Sequence, residues 1–176
     1  NAEYGVNLAR ADLEPVYRAE VARLFDSELV GIDGANALLD SIIVPMCVVS
    51  NGPVSKMQHS LGRTGMLHHF PEKLFSGYDI QRWKPDPALM FHAAKAMNVN
   101  AERSVLVDDS VAGAQSGIAA GLDVFYFCAG SNNKPIDLLK VTKSSDLAEL
   151  PVLLKDRGWT ITRHRLDGGC GLYELL

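Results

Sequence analysis

The sequence has no run of lysine and arginine, and its net charge is −4 at pH 7. Nucleic acid and anionic membrane surfaces recruit concentrated positive charge, so neither is an expected partner. Long apolar stretches are also lacking. The longest, such as Ile42–Val49, is far shorter than a membrane span and is interrupted by Pro45. Cysteine is scarce: Cys47, Cys128 and Cys170 are odd in number, widely spaced, and form neither a CxxC pair nor zinc-type spacing. They read as buried, reduced thiols, which places the chain in the cytoplasm. No charged-then-apolar leader pattern is visible. The chain opens on Asn1 rather than Met, so it reads as cut, processed or excerpted.

What is present is a chain of 176 residues, 47% hydrophobic, long enough for one domain with a small accessory lobe. Apolar periodicity predicts a helix over Asp12–Phe25, capped by Asp12, and a second over Ala35–Ile42. Met46–Val49 reads as a buried strand ending at the turn Ser50-Asn51-Gly52-Pro53. A helix over Lys56–Thr64, a short strand Leu74–Ser76 and a helix over Pro85–Met97 follow. The continuous apolar run Ser104–Val107 leads into Asp108-Asp109-Ser110. A small-residue helix Val111–Ala120 then leads to a strand Val124–Phe127. The last helix covers Asp146–Asp156, with Pro151 as an interruption. Short, unbroken apolar strands alternating with helices indicate an α/β chain with a doubly wound parallel sheet covered on both faces.

In such a sheet chemistry gathers beyond the carboxyl ends of the strands. Three polar signals fall there: Ser50-Asn51, Lys84-Pro85 and Asp108-Asp109. Adjacent carboxylates at a strand end can hold Mg²⁺, which takes oxygen ligands. A hydroxyl and nearby backbone N–H groups can bind phosphoryl oxygens, and a lysine offsets the charge that builds on a transferring phosphoryl group. Each signal alone has a plainer reading: a helix cap for Asp108-Asp109, a turn for Ser50-Asn51-Gly52, a helix start for Lys84-Pro85. Their order and shared placement favour the chemical one.

Val48-Val49-Ser50-Asn51, then Arg82-Trp83-Lys84-Pro85-Asp86-Pro87, then Leu106-Val107-Asp108-Asp109-Ser110 with Ala112-Gly113 and Ala119-Ala120-Gly121, resemble motifs two to four of the haloacid-dehalogenase (HAD) superfamily, in its branch with a helical cap. The resemblance covers roughly residues 5–160 and, over Leu74–Asp123, is strongest to bacterial sugar-phosphate phosphatases. It implies a phosphatase acting on a small phosphorylated metabolite, such as a sugar phosphate or 6-phosphogluconate, through an aspartyl-phosphate. Ser50 and Asn51 would line the phosphate cradle, Lys84 would stabilise the phosphate and the nucleophile, and Asp108 and Asp109 would hold Mg²⁺.

The family's first motif carries the nucleophile in an Asp-x-Asp pair on the first, central strand, ahead of the cap. No Asp-x-Asp occurs in this chain. The resemblance therefore implies a partial cap over residues 1–40, a core over 41–162 and an atypical tail over 163–176. The polypeptide would be inactive by itself; either a first segment exists beyond the residues given, or the central strand position is filled by another chain or by the tail at Leu172–Leu176.

Other readings remain beside this one. A phosphomutase or a haloacid dehalogenase lies within the same family, though the paired carboxylates favour a metal and hence phosphate. A receiver domain uses similar residues, but in the order acidic pair first and Lys-Pro last, opposite to this chain. A non-catalytic scaffold accounts for the absent nucleophile but not for the intact remainder. His59 and His68-His69 have neither the spacing nor the number of a metal site and read as surface or packing residues. Trp83 either shapes the site mouth or packs. Asp12, Arg18, Glu20 and Arg23 read as the solvated face of the first helix, with an arginine reaching a substrate carboxylate as the alternative. The sequence carries no signal for oligomeric state.

Overall fold

A computed structural model of the chain describes residues 10–128, 141–159 and 170–173. Two helices lead: α1 (Arg10–Glu28) and α2 (Ala35–Ser41). Then come β1 (Met46–Ser50), α3 (Val54–Arg63), β2 (Leu74–Ser76), α4 (Gly77–Ile80) and α5 (Ala88–Ala96). The remainder is β3 (Ser104–Asp108), α6 (Val111–Ala119), β4 (Asp123–Phe127), β5 (Val141–Ser144), α7 (Leu150–Asp156) and β6 (Cys170–Tyr173). All pairings are parallel, and the six strands lie in the order β2-β1-β6-β3-β4-β5.

Each central strand sends alternate residues to opposite faces. Val48, Val105, Val107, Phe125 and Phe127 join Leu38, Leu39, Met57, Leu61 and Leu154 in one core, under α2, α3 and α7. Cys47, Val49, Leu106, Val124 and Tyr126 join Leu89, Met90, Ala93 and Ala114 in the other, under α5 and α6. Both faces are therefore dry, which is why the strands read as unbroken apolar runs. Each fully buried Leu or Val contributes roughly 1.5–3 kcal/mol of transfer free energy. The small residues of α6 let it lie close to the sheet: a Cβ on Gly117 would stand 2.7 Å from Leu106 and 2.8 Å from Val124. That helix stops at Gly121, whose φ of 80° suits glycine.

The position between β1 and β3, which the family resemblance leaves open, is taken by β6. Its Met46↔Gly171 to Val48↔Tyr173 register on one side and Ser104↔Cys170 to Val107↔Tyr173 register on the other pair both ladders. Of the occupants considered from the sequence, the tail is the one found, two residues earlier than Leu172. Without it β1 and β3 would face each other across an unpaired gap.

Smaller differences have local causes. Asp12 lies in the first turn of α1, not at its cap, because the helix already begins at Arg10. Helix α5 starts at Ala88, after a cis Lys84–Pro85 bond and a turn in which the Asp86 carboxylate accepts from Ala88 N at 2.8 Å. Pro151 starts α7 rather than interrupting it, since a proline near the first helical position removes no helical hydrogen bond. Several apolar residues of α1 are left open: Leu13, Val16 and Tyr17 are exposed. Helix α1 is held instead through its far end, where Asp26 bonds the His59 ring at 2.7 Å and Lys56 lies over Phe25.

Candidate phosphate and metal site

Strands β1 and β3 end at the same edge of the sheet, so their last residues, Ser50 and Asp108, come to the same crevice. Both are buried. Ser50 Oγ accepts from Gly52 N at 3.1 Å, which folds the β1–α3 turn tightly over the strand end. Ser76 ties the next strand to that turn by donating to Gly52 O at 2.8 Å.

The Lys84 loop is fastened to the same turn by a reciprocal pair. Lys84 N donates to Asn51 Oδ1 at 2.7 Å, and Asn51 Nδ2 donates to Lys84 O at 3.1 Å. Ser116 Oγ donates to Asp86 O at 3.0 Å and so anchors the loop to α6. With its backbone held at both sides, Lys84 points inward. Its ammonium donates to Asp108 Oδ2 at 3.0 Å, with side-chain exposures of only 3% and 0%.

The other oxygen of Asp108 is also engaged. Ser110 N and Ser110 Oγ each donate to Asp108 Oδ1 at 2.7 Å, and Ser110 Oγ accepts from Gly113 N at 2.9 Å. This fixes the carboxylate against the first turn of α6. Gly113 is required there, because a Cβ would lie 1.9–2.2 Å from the atoms of the Asp108 carboxylate.

Asp109 stands at the rim and is exposed. Loss of water around its carboxyl, and then the neighbouring Asp108 charge, hold it above the usual carboxylate range. Burial pulls the Lys84 ammonium below its ordinary value, against the pull of Asp108 in the other direction. Two carboxylates thus face one lysine, in a set whose donors are oxygens. That excess of negative charge suits a hard divalent cation, which would take Asp108 and Asp109 as ligands and keep waters in its remaining positions.

All five residues singled out in the sequence — Ser50, Asn51, Lys84, Asp108 and Asp109 — lie on this crevice or on the loops that form it. His59 and Trp83 do not join them as ligands. Trp83 packs edge-on against Tyr78, with ring centroids 5.7 Å apart, and its ring also abuts Gly77. Ser110 and Gly113 belong to the site as supports, and buried Tyr126 lies beside it, its phenol pushed above the ordinary range by burial and then by the charges of Asp109, Cys128 and Asp108. A Ser-x-x-Gly step directly after the acidic pair was the signal for the first two; nothing in the sequence pointed to Tyr126. Beside the site, α1 and the β1–α3 turn enclose a mostly apolar groove of about 1130 Å³, with Arg18, Lys56, His59 and Tyr78 among its lining residues.

A doubly wound parallel sheet with a serine, an asparagine, a lysine and paired carboxylates at its strand ends is the arrangement of a HAD-type hydrolase. The chain belongs to that family: residues 2–121 match the haloacid dehalogenase-like hydrolases. It is 71% identical over 160 residues to the 6-phosphogluconate phosphatase of Escherichia coli, covering 91% of this chain and 72% of that protein. It is 33% identical over 130 residues to the validoxylamine A 7'-phosphate phosphatase of Streptomyces hygroscopicus, covering 72% of this chain and 55% of the relative. The crystal structure of a haloacid dehalogenase-like protein from Agrobacterium tumefaciens superposes with a TM-score of 0.77 at 25% identity, over 89% of this chain and 74% of that one.

Proposed function

We propose that this chain is the phosphate- and Mg²⁺-binding body of a cytoplasmic phosphomonoesterase whose substrate is a small sugar phosphate of the 6-phosphogluconate kind. The observation that carries the reading is the buried Lys84–Asp108 pair at 3.0 Å, set between Ser50 and Asp109 at the strand ends. The 71% identity to a 6-phosphogluconate phosphatase supports the substrate. No helix of the described residues is long and apolar enough to cross a membrane.

The roles follow from position. Ser50 Oγ and the N–H groups of its turn bind phosphoryl oxygens. Asn51 acts through Lys84, fixing the backbone from which the ammonium reaches the site. Lys84 stabilises charge on the phosphoryl group as the ester bond breaks. Asp108 and Asp109 hold Mg²⁺, which when bound supplies electrostatic stabilisation of the phosphoryl oxygens. In the groove beside the site, Lys56, together with Arg18 once released from its ion pair with Glu14, would provide positive charge suited to the carboxylate of a sugar acid.

None of these groups is placed to attack phosphorus. Ser50 Oγ is engaged by Gly52 N, and both oxygens of Asp108 are engaged by Lys84 and Ser110. The family resemblance assigns the nucleophile to the carboxylate of an Asp-x-Asp strand, a pair that these 176 residues do not contain. The test is phosphate release from 6-phosphogluconate with Mg²⁺, by this chain alone and joined to an upstream apolar strand ending in Asp-x-Asp. Turnover should appear only in the joined protein and disappear with Asp109→Ala. Turnover by the chain alone that disappears with Asp109→Ala would require a different nucleophile. A folded, inactive joined protein would favour a non-catalytic scaffold.

A further inference from the structure

Asp40, His68 and His69 stand together at the opposite end of the sheet from the phosphate site. Asp40 is the next-to-last residue of α2, which precedes β1, and the two histidines close the single 3-10 turn Leu67–His69 that leads toward β2. One ligand atom from each of the three side chains falls within 4.8 Å of the other two. By sequence, His68-His69 have neither the spacing nor the number of ligands of a metal site. Asp40, 28 positions upstream of His68, is a third ligand, brought over by the fold.

Two details separate this cluster from a chance surface group. His69 Nε2 is shut off from solvent and has no hydrogen-bond partner. A buried imidazole nitrogen left in that state costs about 1–3 kcal/mol. In addition, His69 Nε2 lies 3.5 Å from Asp40 Oδ1. That is too long for a good hydrogen bond. It is close to the separation of two ligands on one tetrahedral Zn²⁺, roughly 3.3 Å for metal–ligand bonds near 2.05 Å. The orphaned nitrogen and the long contact have one explanation in common, an atom between them.

The surroundings hold the three groups in place. Asn36 Nδ2 donates to Thr64 O at 3.1 Å, joining α2 to the end of α3. Phe70, 1% exposed, pins the turn into the same core as Leu38 and Leu39. The rings of His68 and His69 pack together with centroids 3.9 Å apart. Asp40 and His68 are exposed, which leaves an open side for entry and for a water as fourth ligand.

We propose that Asp40, His68 and His69 form a second metal site, selective for Zn²⁺ or a similar borderline divalent ion, and separate from the oxygen-only Asp108–Asp109 pair. Two imidazoles and one carboxylate with an open position match the donors such ions prefer, whereas Mg²⁺ does not favour imidazole. The ion would tie α2 to the connection between α3 and β2.

The test is calorimetric titration of Zn²⁺ into the Asp109→Asn protein, in which the acidic pair is disabled. One equivalent should bind, with Kd on the order of 1 µM or tighter, and raise the melting temperature. Asp40→Asn and His68→Ala alter exposed side chains, so both variants should fold. Each should weaken binding about tenfold or more and abolish the melting shift. His69→Gln, checked for folding by circular dichroism, should do the same. Co²⁺ should give the visible absorption of a four-coordinate site, absent in these variants. If Asp109→Asn binds no Zn²⁺, or if binding is unchanged by Asp40→Asn and His68→Ala, the site does not exist and Asp40–His69 is only a loose ion pair. Phosphatase activity plays no part in any of these readouts.

Discussion

Asn51 and Lys84 hold one another by two hydrogen bonds that use the side chain of the first and only the backbone of the second. The side chain of Lys84 is thereby left to Asp108. Asn51→Ala removes both bonds and leaves the Lys84 N–H and C=O to find other partners. The expected cost is about 1–3 kcal/mol, read from urea unfolding. Inorganic phosphate should also bind more weakly, because the ammonium is no longer aimed.

Lys84→Met should be more severe. It leaves a fully buried carboxylate at Asp108 without its counter-charge, a loss of about 3–5 kcal/mol. The double variant Lys84→Met/Asp108→Asn should recover part of that loss. A double variant as unstable as the sum of the two single changes would show that the pair is not coupled.

Gly113→Ala places a methyl inside the space of the Asp108 carboxylate. The carboxylate must move, so Mg²⁺ affinity measured by calorimetry should collapse. Stability should fall by about 1–3 kcal/mol, the usual cost of overpacking. Gly62→Ala is the control: nothing lies within 4 Å of a Cβ there, and neither quantity should change much.

Asp109 gives the pH dependence. Its folded pKa is raised above the unfolded value, so the native metal-free state binds a proton there more tightly. Its contribution to stability is therefore fully present below the unfolded pKa and is lost as pH rises through the folded pKa. Two consequences can be measured. Asp109→Asn should stabilise the metal-free protein at neutral pH. Mg²⁺ affinity in the native protein should fall about tenfold per pH unit once pH drops below the raised pKa, at a higher pH than an ordinary aspartate would set.

Removing residues 163–176 deletes β6 and should open the sheet between β1 and β3. Amide hydrogens along Met46–Ser50 and Ser104–Asp108 should then exchange faster, followed by hydrogen-exchange mass spectrometry. Unchanged protection would mean that β6 contributes nothing to either ladder. An added Asp-x-Asp strand should compete with β6 for the same position.

Much of this was legible from residue patterns. Strands β1, β3 and β4 declared themselves because burial on both faces demands unbroken apolar runs. The candidate site residues stood out for local reasons: Ser50 and Asp108 close the apolar runs of β1 and β3, and Lys84 belongs to the Lys-Pro step ahead of α5. What stayed hidden depends on contacts made at a distance. Strand β5, Val-Thr-Lys-Ser, lies at an edge and buries only Ser144, so it carries little pattern. Helix α4 is four residues long and rests on a Ser76–Asp79 capping box rather than on periodicity. The Asp40–His68–His69 group depends on how α2 docks, which no local spacing records. Helix α1 was legible as a helix, but its docking was not, since Leu13, Val16 and Tyr17 stay exposed.

Synthesis runs from one end of the chain to the other, and β6 comes last of the described strands while standing in the middle of the sheet. Within these residues β1 and β3 share no ladder, so the ribbons β2-β1 and β3-β4-β5 are joined only through β6. At ordinary elongation rates the interval from β5 to β6 is on the order of a few seconds. During that time these residues supply no partner for the facing edges of β1 and β3, and crowding, temperature or a slowed ribosome should tell on yield before they tell on the finished fold.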